Sequence, residues 1–167
     1  MMVHDTRLRF CFAAASLMAV LTGARVVGAE PTVPPGVMLR DLGGAPRALS
    51  SLSGHPAILL FWRSDCAPCR LELSHLADLQ AAAKPGRLVT IALEDASAAR
   101  STLAKMAPEP QIAWIADGDP AAVLVAFNGA PPRLPLAVAL TSAGRRCERH
   151  VGLLGTDRVQ QWVRECS

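Results

Sequence analysis

A single layered α/β domain is the fold class this sequence predicts, and three features predict it. Apolar stretches of strand length recur at 57–62, 88–93 and 112–116, the second interrupted only by Thr90. Apolar residues at helical spacing fill the stretches between them, and a hairpin followed by a helix closes the chain. The length of 167 residues suits one domain. A hydrophobic content of 51% excludes disorder, and five Cys are too sparse for a disulfide-scaffold miniprotein.

The first 29 residues read as an address. Arg7 and Arg9 precede an uncharged, mostly apolar run over 10–24. As a helix that run reaches about 22 Å, short of the ~30 Å hydrocarbon core. Val27, Gly28 and Ala29 offer a cleavage site before Glu30. The expectation is a signal peptide over 1–29, the alternative being an uncleaved anchor that attaches the protein to the inner membrane. Cys11 lacks the lead-in of a lipoprotein signal. Residues 30–37, with three Pro and one Gly, form an extended leader to a domain over 38–167.

Export changes the charge. Losing three Arg and one Asp takes the formal net charge from +3 to +1 and leaves no basic run, which excludes a nucleic-acid partner. Four Cys remain, in a compartment that favours disulfides.

Within the domain, Asp41-Leu42-Gly43-Gly44 between short apolar pieces predicts a small hairpin over 38–52. Residues 57–62, apolar without a break, predict a strand buried on both faces. Next, Leu73, Leu76, Leu79 and Ala83 recur at helical spacing, with Glu72, His75 and Asp78 on the opposite side and Pro85-Gly86 as the stop. A second strand is expected over 88–93, then a helix over 97–106 with Ala99, Leu103 and Met106 inward. A third strand covers 112–116. Asp119 and Pro120 read as N-cap and first-turn residue of a short helix to Phe127. Strands over 136–141 and 145–151 form an antiparallel hairpin, and a helix over 156–165 with Thr156 as N-cap ends the domain.

The chemistry concentrates at Cys66-Ala67-Pro68-Cys69. A Cys-x-x-Cys after a buried strand and at a helix start has a specific use: free N–H groups and the positive dipole end stabilise a thiolate on the first Cys. The thiolate attacks a disulfide, and the second Cys, one turn away, resolves the mixed disulfide. Cys66 is thus the expected nucleophile and Cys69 the resolving thiol. A c-type haem site would need His where Arg70 stands, and a zinc site would need a second ligand pair that Cys147 and Cys166 do not supply. A Cu(I) clamp stays open, since thiolates suit that ion. A purely structural disulfide closing four residues would stabilise little.

The segment Leu59-Leu60-Phe61-Trp62-Arg63-Ser64-Asp65-Cys66-Ala67-Pro68-Cys69-Arg70 resembles the active-site segment of thioredoxin-fold proteins, and is most similar to the exported TlpA/ResA-like branch that includes the cytochrome c maturation thioredoxins. The resemblance runs from about Met38 to the C-terminus. It implies a thioredoxin-like fold with a central mixed β-sheet flanked by helices and an N-terminal β-hairpin. It also implies a cis proline facing the Cys pair, for which Pro135, after Leu134, fits; Pro131 and Pro132 lie nearby. The groove would be built from Trp62, Leu134 and Pro135. Glu94 fits a carboxylate that handles protons near the thiols, or is a solvated loop residue. The chain departs from the branch in two places. Asp65 stands where many relatives carry Trp, opposing the thiolate while Arg63 and Arg70 favour it. Ser74 replaces a common Pro in the first helix and puts a kink there in question.

Cys147 begins a strand and Cys166 ends the following helix; the two elements span about 13 and 15 Å, so their ends return together and a structural disulfide is expected. Trp114 and Trp162 read as core, and His55, His75 and His150 lack metal spacing. The function expected is an exported, periplasmic thiol–disulfide oxidoreductase, a monomer with no cofactor and no metal. It would reduce client protein disulfides, such as those of an apocytochrome c or a copper-site protein, and be restored by a membrane thiol donor. A disulfide-donating oxidant and a copper chaperone are the alternatives; a peroxidase lacks its Pro- and Thr-bearing approach to the reactive Cys.

Overall fold

The computed structural model describes residues 37–127 and 130–167; the expected signal segment and all of the leader but Val37 lie outside the described residues. Strands β1 (Met38–Asp41) and β2 (Pro46–Arg47) form the N-terminal hairpin, followed by a 3-10 turn over Leu49–Leu52. Then come β3 (Ala57–Trp62), α1 (Ala67–Ser74), α2 (Leu76–Ala82), β4 (Arg87–Ala92), α3 (Ala96–Leu103), β5 (Ala113–Asp117) and α4 (Pro120–Ala126). Strands β6 (Leu136–Leu140) and β7 (Arg146–Val151) and helix α5 (Thr156–Glu165) complete the domain.

The strands form one mixed sheet in the order β2-β1-β5-β4-β3-β6-β7. Strands β3, β4 and β5 run parallel, whereas β6 lies antiparallel to β3 and β1 antiparallel to β5. Every residue of β3 is buried, because the sheet is covered on both faces. Ile58, Leu60 and Trp62 face a core shared with α1, α2, α3 and α5. Ala57, Leu59 and Phe61 face a second core with Leu49, Leu52 and α4, where Phe61 and Phe127 stack with centroids 4.7 Å apart. Burying each large apolar side chain contributes about 1.5–3 kcal/mol, so a central strand with no exposed residue anchors the sheet.

Side-chain caps start several elements. The Asp41 carboxylate accepts the N–H groups of Gly43 and Ala45 and so closes the hairpin turn, where Gly44 takes a positive φ of 90°. Asp95 caps α3 by accepting from Ser97 and Ala98, and Asp119 caps α4 by accepting from Ala122.

Four expectations need correction. The single helix expected after the Cys pair is two helices, broken at His75, whose N–H donates to the Glu72 carbonyl at 3.0 Å. The kink therefore exists without Pro at position 74; there the Ser74 hydroxyl donates to the Leu71 carbonyl at 2.7 Å, competing with the helix for that acceptor. Glu72 does not face solvent with Asp78 but is 3% exposed, because its carboxylate has a buried partner described below. Helix α3 starts at Ala96, one residue earlier than expected because Asp95 supplies the cap, and ends at Leu103. Thr156 is the first helical residue of α5 and not its cap; Gly155, at φ 71°, holds the cap position, a conformation that favours glycine.

Cys147 and Cys166 are joined by a disulfide with Cα atoms 5.9 Å apart, tying β7 to the end of α5. Cys147→Ala/Cys166→Ala is expected to lower stability by about 3 kcal/mol, from the loop entropy restored to the unfolded chain; urea unfolding reads the difference. The Asp95 carboxyl lies below its ordinary value of 3.8, chiefly through the Ala98 and then the Ser97 N–H. Folding therefore favours its ionised form, and that stabilisation is complete above the unfolded value and is lost as the pH falls through the lower folded one. The destabilisation caused by Asp95→Ala should accordingly shrink as unfolding is measured below pH 3.8.

Candidate active site

Parallel β3 and β4 end side by side, and the Leu93 N–H donates to the Trp62 carbonyl at 2.9 Å to extend their pairing. The chain leaves β3 through the turn Arg63-Ser64-Asp65-Cys66 and enters α1 at once. Cys66 is the N-cap of α1, with Pro68 in the first turn, and its Sγ accepts the Cys69 N–H at 3.2 Å. The sulfur thus occupies the place of a capping oxygen, at the positive end of the helix.

Cys66 and Cys69 form a disulfide with Cα atoms 5.2 Å apart. The two sulfurs are unequal. Cys69 has no exposed surface, whereas Cys66 is half-buried, so Cys66 is the one a partner molecule can reach.

The turn is pinned from β4. The Glu94 carboxylate accepts the Ser64 N–H, at 3.0 Å to Oε2, and the Ser64 hydroxyl, at 2.6 Å. Arg63 makes a two-point contact with Asp65, Nε to Oδ1 at 2.9 Å and Nη2 to Oδ2 at 3.0 Å, while its Nη1 donates to the Leu93 carbonyl at 3.3 Å. Arg70, from α1, donates to the Ser64 carbonyl at 2.7 Å. The Arg63 hydrogen bond, more than any other influence, holds the Asp65 carboxyl below its ordinary range. Glu94 thus stands beside the turn with Ser64 as its partner. Ser64 itself escaped the sequence reading: nothing in a lone Ser announces that a carboxylate thirty residues away will bind it.

Strand β6 runs against β3 with Leu136 opposite Phe61, which brings the preceding Pro135 to the same end of the sheet as the Cys pair. The Leu134–Pro135 peptide is cis, as is Ala130–Pro131. Pro135 is buried and its carbonyl accepts the Gly152 N–H at 2.9 Å, while Pro131 and Pro132 are exposed. Leu134 is half-buried and touches both cores. Trp62, expected to help form the groove, is 1% exposed and packs in the α1 core. It underlies the turn and does not line a surface, because the last residue of β3 is still covered on both faces.

Glu72 is the group that sequence reasoning placed wrongly. Its Oε2 accepts the Leu154 N–H at 2.9 Å, joining α1 to the loop between β7 and α5. The signal was available: Glu72 follows Cys69 by three residues, which puts both on one helix face. Among the described residues no group of three or more His, Cys, Asp or Glu side chains converges as a metal site would require. His55 and His75 are exposed, and His150 Nε2 lies 2.7 Å from Arg158 Nη1. The arrangement can perform dithiol–disulfide exchange: one accessible sulfur at a helix N-terminus and one shielded sulfur within bonding distance.

Glu72→Leu should cost about 1–3 kcal/mol by leaving the Leu154 N–H unpaired. Glu72→Gln keeps an acceptor oxygen and is expected to recover part of that loss in urea unfolding.

The AhpC/TSA family profile matches residues 32–124, more than half of the chain. No curated protein compared with the chain matches it. Among solved structures, a secreted Mycobacterium tuberculosis disulfide oxidoreductase homologous to E. coli DsbE is similar at 25% identity and TM-score 0.58, over 76% of this chain and 93% of that one. A thioredoxin-related protein from Neisseria meningitidis serogroup B is similar at 23% identity and TM-score 0.65, over 75% and 96%. StoA from Bacillus subtilis is similar at 19% identity and TM-score 0.57, over 78% and 98%. The mixed sheet with its flanking helices is a thioredoxin-like fold.

Proposed function

This chain belongs to the AhpC/TSA family, and from that premise we propose that it is an exported thiol–disulfide oxidoreductase that reduces disulfides of specific envelope proteins. The observation that carries the reading is the unequal Cys pair: Cys66 half-exposed as the cap of α1, Cys69 fully buried one turn on. In the reduced protein the Cys66 thiolate attacks a client disulfide, forming a Cys66–client bond and releasing one client sulfur as thiolate. Cys69 then loses its proton and attacks the Cys66 sulfur, which frees the second client thiol and leaves the Cys66–Cys69 disulfide seen here. Two electrons pass from the Cys pair to the client, and a membrane thiol donor restores the dithiol.

Half-buried Leu134, with buried Pro135 next to it at the same end of the sheet, forms the edge on which the client chain lies. Glu94, held on Ser64, is the carboxylate within the turn's own hydrogen-bond network and serves proton handling there. Arg7 and Arg9 ahead of the apolar run at 10–24 support export to the periplasm, and a solved relative is described as secreted.

Three measurements test this. Reduced protein should reduce insulin, Cys66→Ser should abolish that activity, and Cys69→Ser should accumulate mixed disulfides that gel electrophoresis without reductant displays. The reduction potential of the pair, equilibrated against dithiothreitol or glutathione, should fall between about −270 mV and the −200s. A value near about −120 mV, typical of strong oxidants, would reverse the direction of electron flow. Stoichiometric Cu(I) retention without insulin reduction would replace the reading with that of a metal clamp.

A further inference from the structure

The residue immediately before Cys66 is an acid, and an acid there should work against a thiolate. The structure shows how its charge is answered. Asp65 is bound at both carboxylate oxygens by Arg63, in the planar two-point geometry that favours guanidinium over ammonium. Arg63 is also anchored on the Leu93 carbonyl and is the more shielded partner, with 34% of its side chain exposed against 68% for Asp65. Two further charges bind this turn, Arg70 through the Ser64 carbonyl and Glu94 through the Ser64 N–H and hydroxyl. Both keep their charge and stay in place when Arg63 or Asp65 is replaced, so a change in the field at Cys66 is then set by that pair.

We propose that the Arg63–Asp65 pair sets the reactivity of Cys66, Asp65 acting as a brake on the thiolate that Arg63 holds in the released position. This rests on the reading of Cys66 as the attacking thiol and adds two positioning residues to it. The direction of each half is fixed by charge. Removing Asp65 leaves the cation of Arg63 beside the turn and favours the thiolate. Removing Arg63 takes away that cation and also exposes the Asp65 carboxylate, so the thiolate is disfavoured twice over. The shifts of the pair agree with this: hydrogen bonding to Arg63 holds Asp65 ionised, and the same bond, together with the charge of Glu94, holds Arg63 protonated more firmly. Because Asp65 is exposed and Arg63 only partly shielded, added salt weakens the long-range part of their effect.

The test is the pH dependence of Cys66 alkylation by iodoacetamide in fully reduced full-length protein, with the Cys66 peptide followed by mass spectrometry. The midpoint should move down in Asp65→Asn and up in Arg63→Ala, each by about half a pH unit or more. Arg63→Ala/Asp65→Asn should return toward wild type, and Arg63→Lys, which keeps the charge without the two-point contact, should lie between wild type and Arg63→Ala. A structural role alone would move both single variants the same way, by loosening the turn. Shifts of the same sign, or no shift in either variant, overturn the proposal. The readout needs no client. Unchanged midpoints with insulin reduction intact would sink the brake and leave the proposed function standing; opposite shifts in a protein unable to reduce insulin would do the reverse.

Discussion

Strand β3 is buried on both faces and paired on both edges, parallel to β4 and antiparallel to β6. Everything at the site follows from where it ends. Parallel pairing puts the carboxyl ends of β3 and β4 together, so the turn after Trp62 lies against Leu93 and Glu94. Antiparallel pairing brings the start of β6, and with it Pro135, to that same end. In open α/β sheets the crevice beyond the strand ends is where chemistry collects, and here one strand with no polar residue delivers both cysteines to it.

The turn between β3 and α1 is held by hydrogen bonds from three charged side chains. Glu94 holds Ser64 from one side, Arg70 holds it from the other, and Arg63 spans Asp65 and the end of β4. A nucleophile at a helix cap must keep its sulfur aligned with the first-turn N–H groups, since the dipole's influence fades within one turn. Rigid support on either side of Cys66 keeps that alignment without covering the sulfur. The buried Cys69 has the opposite need: shielding from solvent reserves it for the one sulfur within its reach.

A second set of links connects the Cys helix to the loop between β7 and α5. Glu72 on α1 accepts from Leu154, Gly152 in the same loop donates to Pro135, and the Cys147–Cys166 bond closes the strand and helix on either side of that loop. The thiol pair and the cis-proline segment are therefore parts of one hydrogen-bonded frame. The buried carboxylate of Glu72 is tolerated because a backbone N–H compensates its lost hydration.

Local sequence determined the elements, and did so because their signals are local. Six unbroken apolar residues specify a strand covered on both faces, Asp119-Pro120 specifies a capped helix start, and a Cys-x-x-Cys between strand and helix specifies thiol chemistry. Matched element lengths were enough to anticipate that Cys147 and Cys166 meet. Tertiary structure decided what depends on partners distant in the chain. The burial of Glu72 required Leu154, 82 residues away, and the support of the turn required Glu94, 30 residues from Ser64. The concealment of Trp62 required helices packed over the last residue of its strand. The charge of Asp65 is plain in the sequence, but its neutralisation is not, because a two-point contact is a matter of side-chain geometry and not of spacing. Periodicity records which face a residue prefers; only the assembled sheet decides which polar group waits there to meet it.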